Sequence, residues 1–352
     1  MTYSIIVPVF NRPDEVDELL SSLEQQTLRN FEVIIVEDGS QIPCKTVCLN
    51  HAGSLDLHYY AKSNSGPGQS RNYGVEHAQG EYVIILDSDV VLPPDYLKAV
   101  DNELRREPCE AFGGPDRAAD SFTPTQKAIS YSMTSFFTTG GIRGGKKKLD
   151  KFYPRSFNMG VRRDVYNKLG GFSKMRFGED IDFSIRIFKA GCRCRLFPGA
   201  WVYHKRRTDF RKFWRQVFNS GIARINLYKK YPESLKLVHL LPTVFTIGVS
   251  LLCLLFVGSL VTFLLSASAS SLSGSHGAVA GMELAVAPLL VYSILIMLDS
   301  ARQNKSWKIG LLSVRAAFTQ LLGYGCGFLQ AWWRRCVMGR DEFSAYQKNF
   351  YK

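Results

Sequence analysis

Apolar residues recur along the first third of the chain in short, β-branched runs separated by segments of helical periodicity. "SIIVPVF" (4–10), "FEVIIVED" (31–38), "LDLHYY" (55–60), "YVIILD" (82–87) and "CEAFGG" (109–114) have the length and composition of strands. Between the first two, "PDEVDELLSSLEQQT" sets Val16, Leu19, Leu20 and Leu23 on one helical face after a Pro-Asp start. Further helices are expected over Gln41–His51, over "GQSRNYGVEHA" behind the Gly66-Pro67-Gly68 turn, and over "PPDYLKAVDNELRRE". Strands apolar on both faces and alternating with helices predict an α/β fold, a mostly parallel sheet covered by helices on both sides.

From Tyr131 to Tyr153 this pattern dissolves, and the glycines and lysines there predict a loop. "DVYNKLGGF" then reads as a turn, and "GEDIDFSIRIFKAG" as a helix ending at Gly191. Leu240–Leu265 carries no charge and is long enough to cross a bilayer. A second apolar run, Leu284–Leu298, is interrupted by Pro288 and spans with its flanks. Basic residues lie before the first run and after the second (Arg302, Lys305, Lys308), which predicts a membrane hairpin with both flanks cytoplasmic. A third stretch over about 308–333 includes Arg315 and Gln320 and precedes a basic tail. It is expected to be interfacial or re-entrant, with Trp332 and Trp333 at the headgroups. The expected organisation is a cytosolic domain over 1–232 and a membrane region over 233–352, with spans at about 240–265 and 280–300.

Charge refines this picture. The chain has 352 residues, 46% of them hydrophobic, and a formal net charge of +13. The basic excess runs from Arg143 to Lys230, just ahead of the apolar runs, which suits anionic headgroups and argues against a nucleic-acid partner. The N-terminus has no signal-peptide pattern, and none of the eight cysteines forms a CxxC pair, so reduced thiols in a cytosolic setting are expected.

Candidate chemistry gathers at strand ends, where sheets of this kind bind ligands: Asp38, Asp87 and Asp89 all fall there. Two carboxylates one residue apart repel unless a cation joins them, and Mg2+ or Mn2+ is the hard cation such oxygens favour. Helix capping is the competing explanation, and spacing alone leaves both open. Glu179, Asp180 and Asp182 crowd one helix start beside Arg176 and Arg186. A general base there competes with simple dipole complementation. His204 follows a short apolar segment and suits either a structural role or a mixed carboxylate–imidazole metal shell.

Taken in order, "SIIVPVFNRPDEV", "VIIVEDGS", "GPGQSRNYGVEHAQGEYVIILDSDV", "FNMGVRRDVYNKLGGF" and "RFGEDIDFSIRIFKAG" resemble the family 2 glycosyltransferases of the GT-A fold, over roughly two-thirds of the chain. The membrane hairpin is similar to that of bacterial members acting on lipid-linked or surface-polysaccharide acceptors. The resemblance implies that Pro8, Phe10 and Asn11 line the nucleotide pocket, that Asp38 binds base or ribose, and that Arg71 helps hold the nucleotide. It implies that Asp87 and Asp89 form a DxD motif, with Asp89 on the metal and Asp87 closer to the ribose. Asp180 matches the catalytic base with Glu179 beside it, and His204 a further metal ligand. Processive members carry Gln-x-x-Arg-Trp, whereas Gln216 here is followed by Val-Phe-Asn, which favours transfer of one sugar.

The function expected is therefore inverting, metal-dependent transfer from a nucleotide diphosphate sugar to an acceptor hydroxyl at the bacterial cytoplasmic membrane. Its catalytic domain is expected on the cytosolic face, and a lysine-rich loop over Gly144–Lys148 is expected to close over phosphate. A polyprenyl-phosphate glycosyltransferase and a non-catalytic, membrane-anchored nucleotide-binding protein are the alternatives.

Overall fold

The computed structural model describes residues 1–117, 122–139, 152–175, 177–205, 209–268 and 272–342. The chain begins β1 (Tyr3–Val9), α1 (Pro13–Glu24), β2 (Phe31–Asp38), α2 (Lys45–His51), β3 (Leu57–Lys62), α3 (Pro67–Glu76) and β4 (Tyr82–Leu86). It continues through β5 (Val90–Val91), α4 (Tyr96–Arg106), β6 (Ala111–Gly113), β7 (Asp116–Arg117), α5 (Pro124–Thr134) and α6 (Phe136–Thr139). Then come β8 (Asn158–Arg162), α7 (Arg163–Lys168), α8 (Glu179–Lys189), β9 (Cys194–Leu196) and β10 (Val202–His204). The C-terminal part is helical: α9 (Phe210–Lys230), α10 (Leu241–Ser268), α11 (Leu272–Asn304) and α12 (Trp307–Trp332). Two compact units result, one from the described residues 1–117 and 152–205, the other from 122–139 and 209–342. The first unit ends at Lys205, ahead of α9.

In the first unit a seven-stranded sheet runs in the order β3-β2-β1-β4-β8-β6-β9. The β1–β2, β2–β3, β1–β4 and β6–β9 pairs are parallel, and β8 is antiparallel to β4 and β6. The apolar strand runs work because their alternate residues serve two different cores. Ile5, Val7, Val33, Ile35 and Ile84 pack with Val16, Leu19, Leu20 and Leu23 of α1 and Leu97, Val100 and Leu104 of α4. Their neighbours Ile6, Ile34, Val36, Val83 and Ile85 pack on the other face with Val75 of α3 and Phe183 and Ile187 of α8. A second sheet has the order β5-β10-β7.

Two stretches differ from the sequence expectation. "DVYNKLGGF" holds the short helix α7 before its turn, and β8 ahead of it was not foreseen. β8 reads Asn-Met-Gly-Val-Arg, so no apolar run marks it. Its Asn158 is almost fully buried, accepts Tyr96 Oη–H at 2.6 Å and donates to the Ala200 carbonyl at 2.9 Å.

The second unit corrects the loop expected from Tyr131: α5 continues to Thr134 and, after the extended Ser135, α6 covers Phe136–Thr139. Thr123 and Gln126 form a reciprocal capping box around Pro124, which satisfies the first amides of α5. Ala128 and Ile129 of α5 then pack with Phe213 and Val217 of α9 and Ile309 and Ala316 of α12. Tyr131 donates to Asp299 of α11 at 2.5 Å, so tertiary packing overrides a polar, weakly patterned sequence. The Gly144–Lys148 loop lies outside the described residues. Among the described residues, two helices are long and apolar enough to cross a membrane, Leu237–Ser266 (mean hydropathy 2.5) and His276–Asn304 (mean hydropathy 2.0). Pro288 sits inside α11 without ending it, as prolines do in apolar spans where neighbouring groups take up the freed carbonyl. The third stretch forms one unbroken helix, α12, whose Ser313, Ala316, Ala317, Leu321 and Phe328 are buried in the helical unit.

A polar clamp holds α1 to α2 in the first unit. His51 Nδ1 lies 2.8 Å from Glu24 Oε1 and its Nε2 3.0 Å from Asp17 Oδ1. Burial alone would lower the His51 pKa, but the two carboxylates outweigh it and hold the value above that of a free imidazole. The clamp is therefore complete below the ordinary histidine pKa and weakens as pH rises through the raised folded value. Amide hydrogen exchange in α2 should quicken between neutral and alkaline pH by more than chemistry alone requires, corresponding to roughly 0.5–1.5 kcal/mol. His51→Gln should remove that extra step; an unchanged pH profile in the variant would refute the clamp.

Candidate active site

Asp87 and Asp89 flank Ser88 in the turn between β4 and β5. β5 pairs antiparallel with β10, with His204 opposite Val90, and this register carries the histidine to the carboxylates. His204 Nε2 lies 3.2 Å from Asp89 Oδ1, and the imidazole stacks on Phe157 at 4.8 Å. Asp87, Asp89 and His204 each offer one ligand atom, and these atoms lie within 4.8 Å of one another. Two carboxylates and an imidazole form a donor set that fits Mg2+ or Mn2+.

A buried arginine joins this cluster to the acidic helix start. α3 opens at Gly66, whose φ of +89° a side chain would resist, and the following helix carries Arg71 inward to 3% exposure. Its Nη2 donates to Asp87 Oδ1 at 2.8 Å and its Nη1 to Glu179 Oε1 at 3.1 Å, while the guanidinium lies over Phe172. α8 begins after Gly178, at φ +88°, so Glu179 and Asp180 stand in its first turn. Burial raises the Glu179 pKa and the neighbouring Asp180 charge adds to this, with Arg71 opposing both. Asp180 Oδ1 accepts the Ile181 amide at 2.8 Å, and its Oδ2 pairs with Arg155 Nε at 2.9 Å.

The remaining sequence candidates take other positions. Asp182 is fully buried, paired with Arg186 at 2.9 Å and accepting from Ser173 at 2.8 Å, which accounts for the third carboxylate structurally. Asp38 ends β2 beside β1. Its carboxylate accepts from Lys62 Nζ at 2.7 Å and from the Ser65 and Gly66 amides at 2.9 Å each, building the turn into α3. Pro8 lies in β1, and Phe10 just beyond it is 47% exposed. Asn11 adopts φ +55°; its amide donates to Ser40 at 2.7 Å and its Oδ1 accepts the Gln41 and Ile42 amides. The structure thus joins Asp87, Asp89, His204, Arg71 and Glu179 in one cluster with Asp180 adjacent. It puts Pro8, Phe10, Asn11 and Asp38 at the ends of neighbouring strands.

Sequence reasoning missed Arg155 on Asp180, and Arg12, whose Nη1 reaches Asp89 Oδ2 at 3.2 Å and Glu15 Oε2 at 2.7 Å. The excess of carboxylates over nearby cations was the available signal. It demanded counter-ions without locating them.

The covered parallel sheet, with one antiparallel strand beside the carboxylate-bearing β4, is a GT-A-like α/β architecture. A mannosyltransferase from Pyrobaculum calidifontis, solved in complex with GDP-Man and Mn2+, has this fold at TM-score 0.59 and 17% identity. The match covers 95% of this chain and 87% of that one. Residues 4–170 match the model of glycosyl transferase family 2. An uncharacterized glycosyltransferase of Haemophilus influenzae is 29% identical over 194 residues, 53% of this chain and 62% of that protein. The chondroitin synthase of Pasteurella multocida is 27% identical over 236 residues, 57% of this chain and 24% of that one. The matches span less than two thirds of either relative. Over residues 4–170 the chain thus carries a glycosyltransferase family 2 domain.

Removing the bridging cation should expose its cost. Arg71→Met leaves Glu179 facing Asp87 with no charge between them, and should cost roughly 2–4 kcal/mol in denaturation. Adding Glu179→Gln should recover part of that loss. A double variant no more stable than the single one would show that the arginine does not act by bridging.

Proposed function

We propose that the chain transfers a single sugar, with inversion, from a nucleotide diphosphate sugar to an acceptor hydroxyl on a lipid-linked or surface-polysaccharide substrate. The observation that carries this reading is the pairing of two carboxylate sets in one site: Asp87 and Asp89 with His204, and Glu179 and Asp180 tied to them through Arg71. Inversion requires donor and nucleophile on opposite sides of the anomeric carbon, and two separate acidic sets suit that division. Asp180 takes the proton of the acceptor hydroxyl as the new bond forms at the anomeric carbon, and the bond to the diphosphate breaks. We assign Pro8, Phe10 and Asn11 to the nucleotide's wall and Asp38 to its base or ribose. Arg71 holds Asp87 towards the donor. A divalent ion, Mg2+ or Mn2+, held by Asp87, Asp89 and His204 supplies charge stabilisation on the departing diphosphate. The Mn2+ and GDP-Man bound by the Pyrobaculum mannosyltransferase support this assignment.

The two apolar helices support a place at a bacterial cytoplasmic membrane, with a catalytic region over 1–232 on the cytosolic face and a membrane region over 233–352. Within it we assign spans near 240–265 and 280–300, with about 308–333 at the interface. A second reading is favoured by one contact: Asp180 already pairs with Arg155 at 2.9 Å, so its carboxylate is occupied by a guanidinium where an acceptor hydroxyl would have to approach. A polyprenyl-phosphate acceptor is ionised without help and needs no such base.

Asp180→Asn should lower transfer to a hydroxyl acceptor by roughly a hundredfold or more while donor binding survives. Near-normal turnover would move the base elsewhere, and turnover with polyprenyl phosphate alone would select the second reading. Stripping divalent ions with EDTA should abolish donor turnover, and adding Mn2+ or Mg2+ should restore it; full activity in EDTA would remove the metal from the site.

A further inference from the structure

Arg12 contacts the Asp89 carboxylate, one of the three groups that could hold a cation. Its Nη1 lies 3.2 Å from Asp89 Oδ2, while His204 Nε2 lies 3.2 Å from the other oxygen of the same carboxylate. The arginine arrives there through a locked piece of backbone. Asn11 is held at φ +55° by the Gln41 and Ile42 amides on its Oδ1 and by its own amide on Ser40. The next residue, Arg12, stands at the N-terminal boundary of α1. Glu15, one turn into α1, accepts from the same Nη1 at 2.7 Å. The Arg12 side chain is 35% exposed, whereas that of Asp89 is 8% exposed. The arginine can therefore withdraw towards water and keep Glu15, but Asp89 cannot follow it.

We propose that Arg12 is a built-in competitor for the divalent ion: its guanidinium and the ion share the Asp89 carboxylate, and Glu15 is the resting place to which Arg12 retires. This rests on the metal reading given above. The physical reason is charge economy at a nearly buried carboxylate. A guanidinium already at Asp89 holds that carboxylate in one orientation. The same guanidinium repels an incoming dication, so the ion binds only as tightly as it can displace a half-exposed ion pair. Glu15 lowers the cost of that displacement by offering the arginine a second carboxylate. The two residues should therefore act on metal affinity with opposite signs, which a purely structural pair would not do.

The test is Mn2+ binding to the purified full chain in detergent, read from the loss of the free Mn2+ paramagnetic resonance signal, with no sugar donor present. Wild type, Arg12→Gln, Glu15→Gln and Asp89→Asn are compared. Arg12→Gln should bind Mn2+ roughly two- to fivefold tighter than wild type, the size expected for removing a half-exposed competing ion pair. Glu15→Gln should bind it more weakly than wild type, because Arg12 then has only Asp89. High salt should narrow both differences by screening the exposed partner. Equal or weaker binding by Arg12→Gln, with wild type binding normally, would overturn the competition and leave the metal site standing. A wild type that binds no Mn2+, or an Asp89→Asn chain that binds as wild type does, would overturn the metal reading and the competition with it.

Discussion

The site depends on one buried guanidinium. Arg71 joins Asp87, which follows a central strand, to Glu179, which is 108 positions beyond the arginine and opens a helix packed on the same sheet face as α3. A carboxylate from each side could not approach the other without a charge between them, since burial makes their repulsion stronger than it is in water. Lysine would carry the charge but not the geometry. The planar fork of arginine presents two N–H groups in fixed directions, one for each acid, and its face lies on Phe172. Gly66 and Gly178 serve this contact from both ends, because each permits the sharp turn that starts one of the two helices. The Asp38 carboxylate, by binding the Ser65 and Gly66 amides, fixes the turn from which Arg71 departs.

What was legible in the sequence follows from how local each signal is. The strand runs through Ile5, Ile34 and Ile84 announce themselves because a strand buried on both faces must be apolar at every step. The strand-end aspartates were legible for the same reason, as charges that interrupt such runs. β8 escaped notice because its Asn158 and Gly160 are justified by the Ala200 carbonyl, Tyr96 and Phe112, none of them near in sequence. α5 escaped because its helical face is completed by α9 and α12 in the helical unit. Arg12 and Arg155 escaped because an ion pair across 77 or 25 positions leaves no local pattern. The three acids at the start of α8 were visible together, yet only the structure separates Asp182, which is spent on Arg186 and Ser173, from its neighbours.

The division of labour between Glu179 and Asp180 follows from their partners. Glu179 is held by Arg71, and burial raises its pKa, so it resists carrying a free charge at the surface of the site. Asp180 binds one amide of its own helix and one arginine whose side chain is 39% exposed. An exposed counter-ion is one that solvent or an anionic ligand can replace, whereas the Arg71 contact, with its side chain 4% exposed, cannot be exchanged without unpacking the core. The same contrast holds on the donor side, where Arg12 is half-exposed on a nearly buried Asp89. Asp89 and Asp180 thus each face a more exposed arginine, whereas the arginine that joins Asp87 to Glu179 is buried. A site arranged in this way holds its acids in place before any ligand arrives. In the transfer proposed above, where an anionic donor meets a neutral hydroxyl, that exposure would matter. The donor's charge would be the agent that draws an arginine from a carboxylate, so Asp180 would be freed as the donor binds.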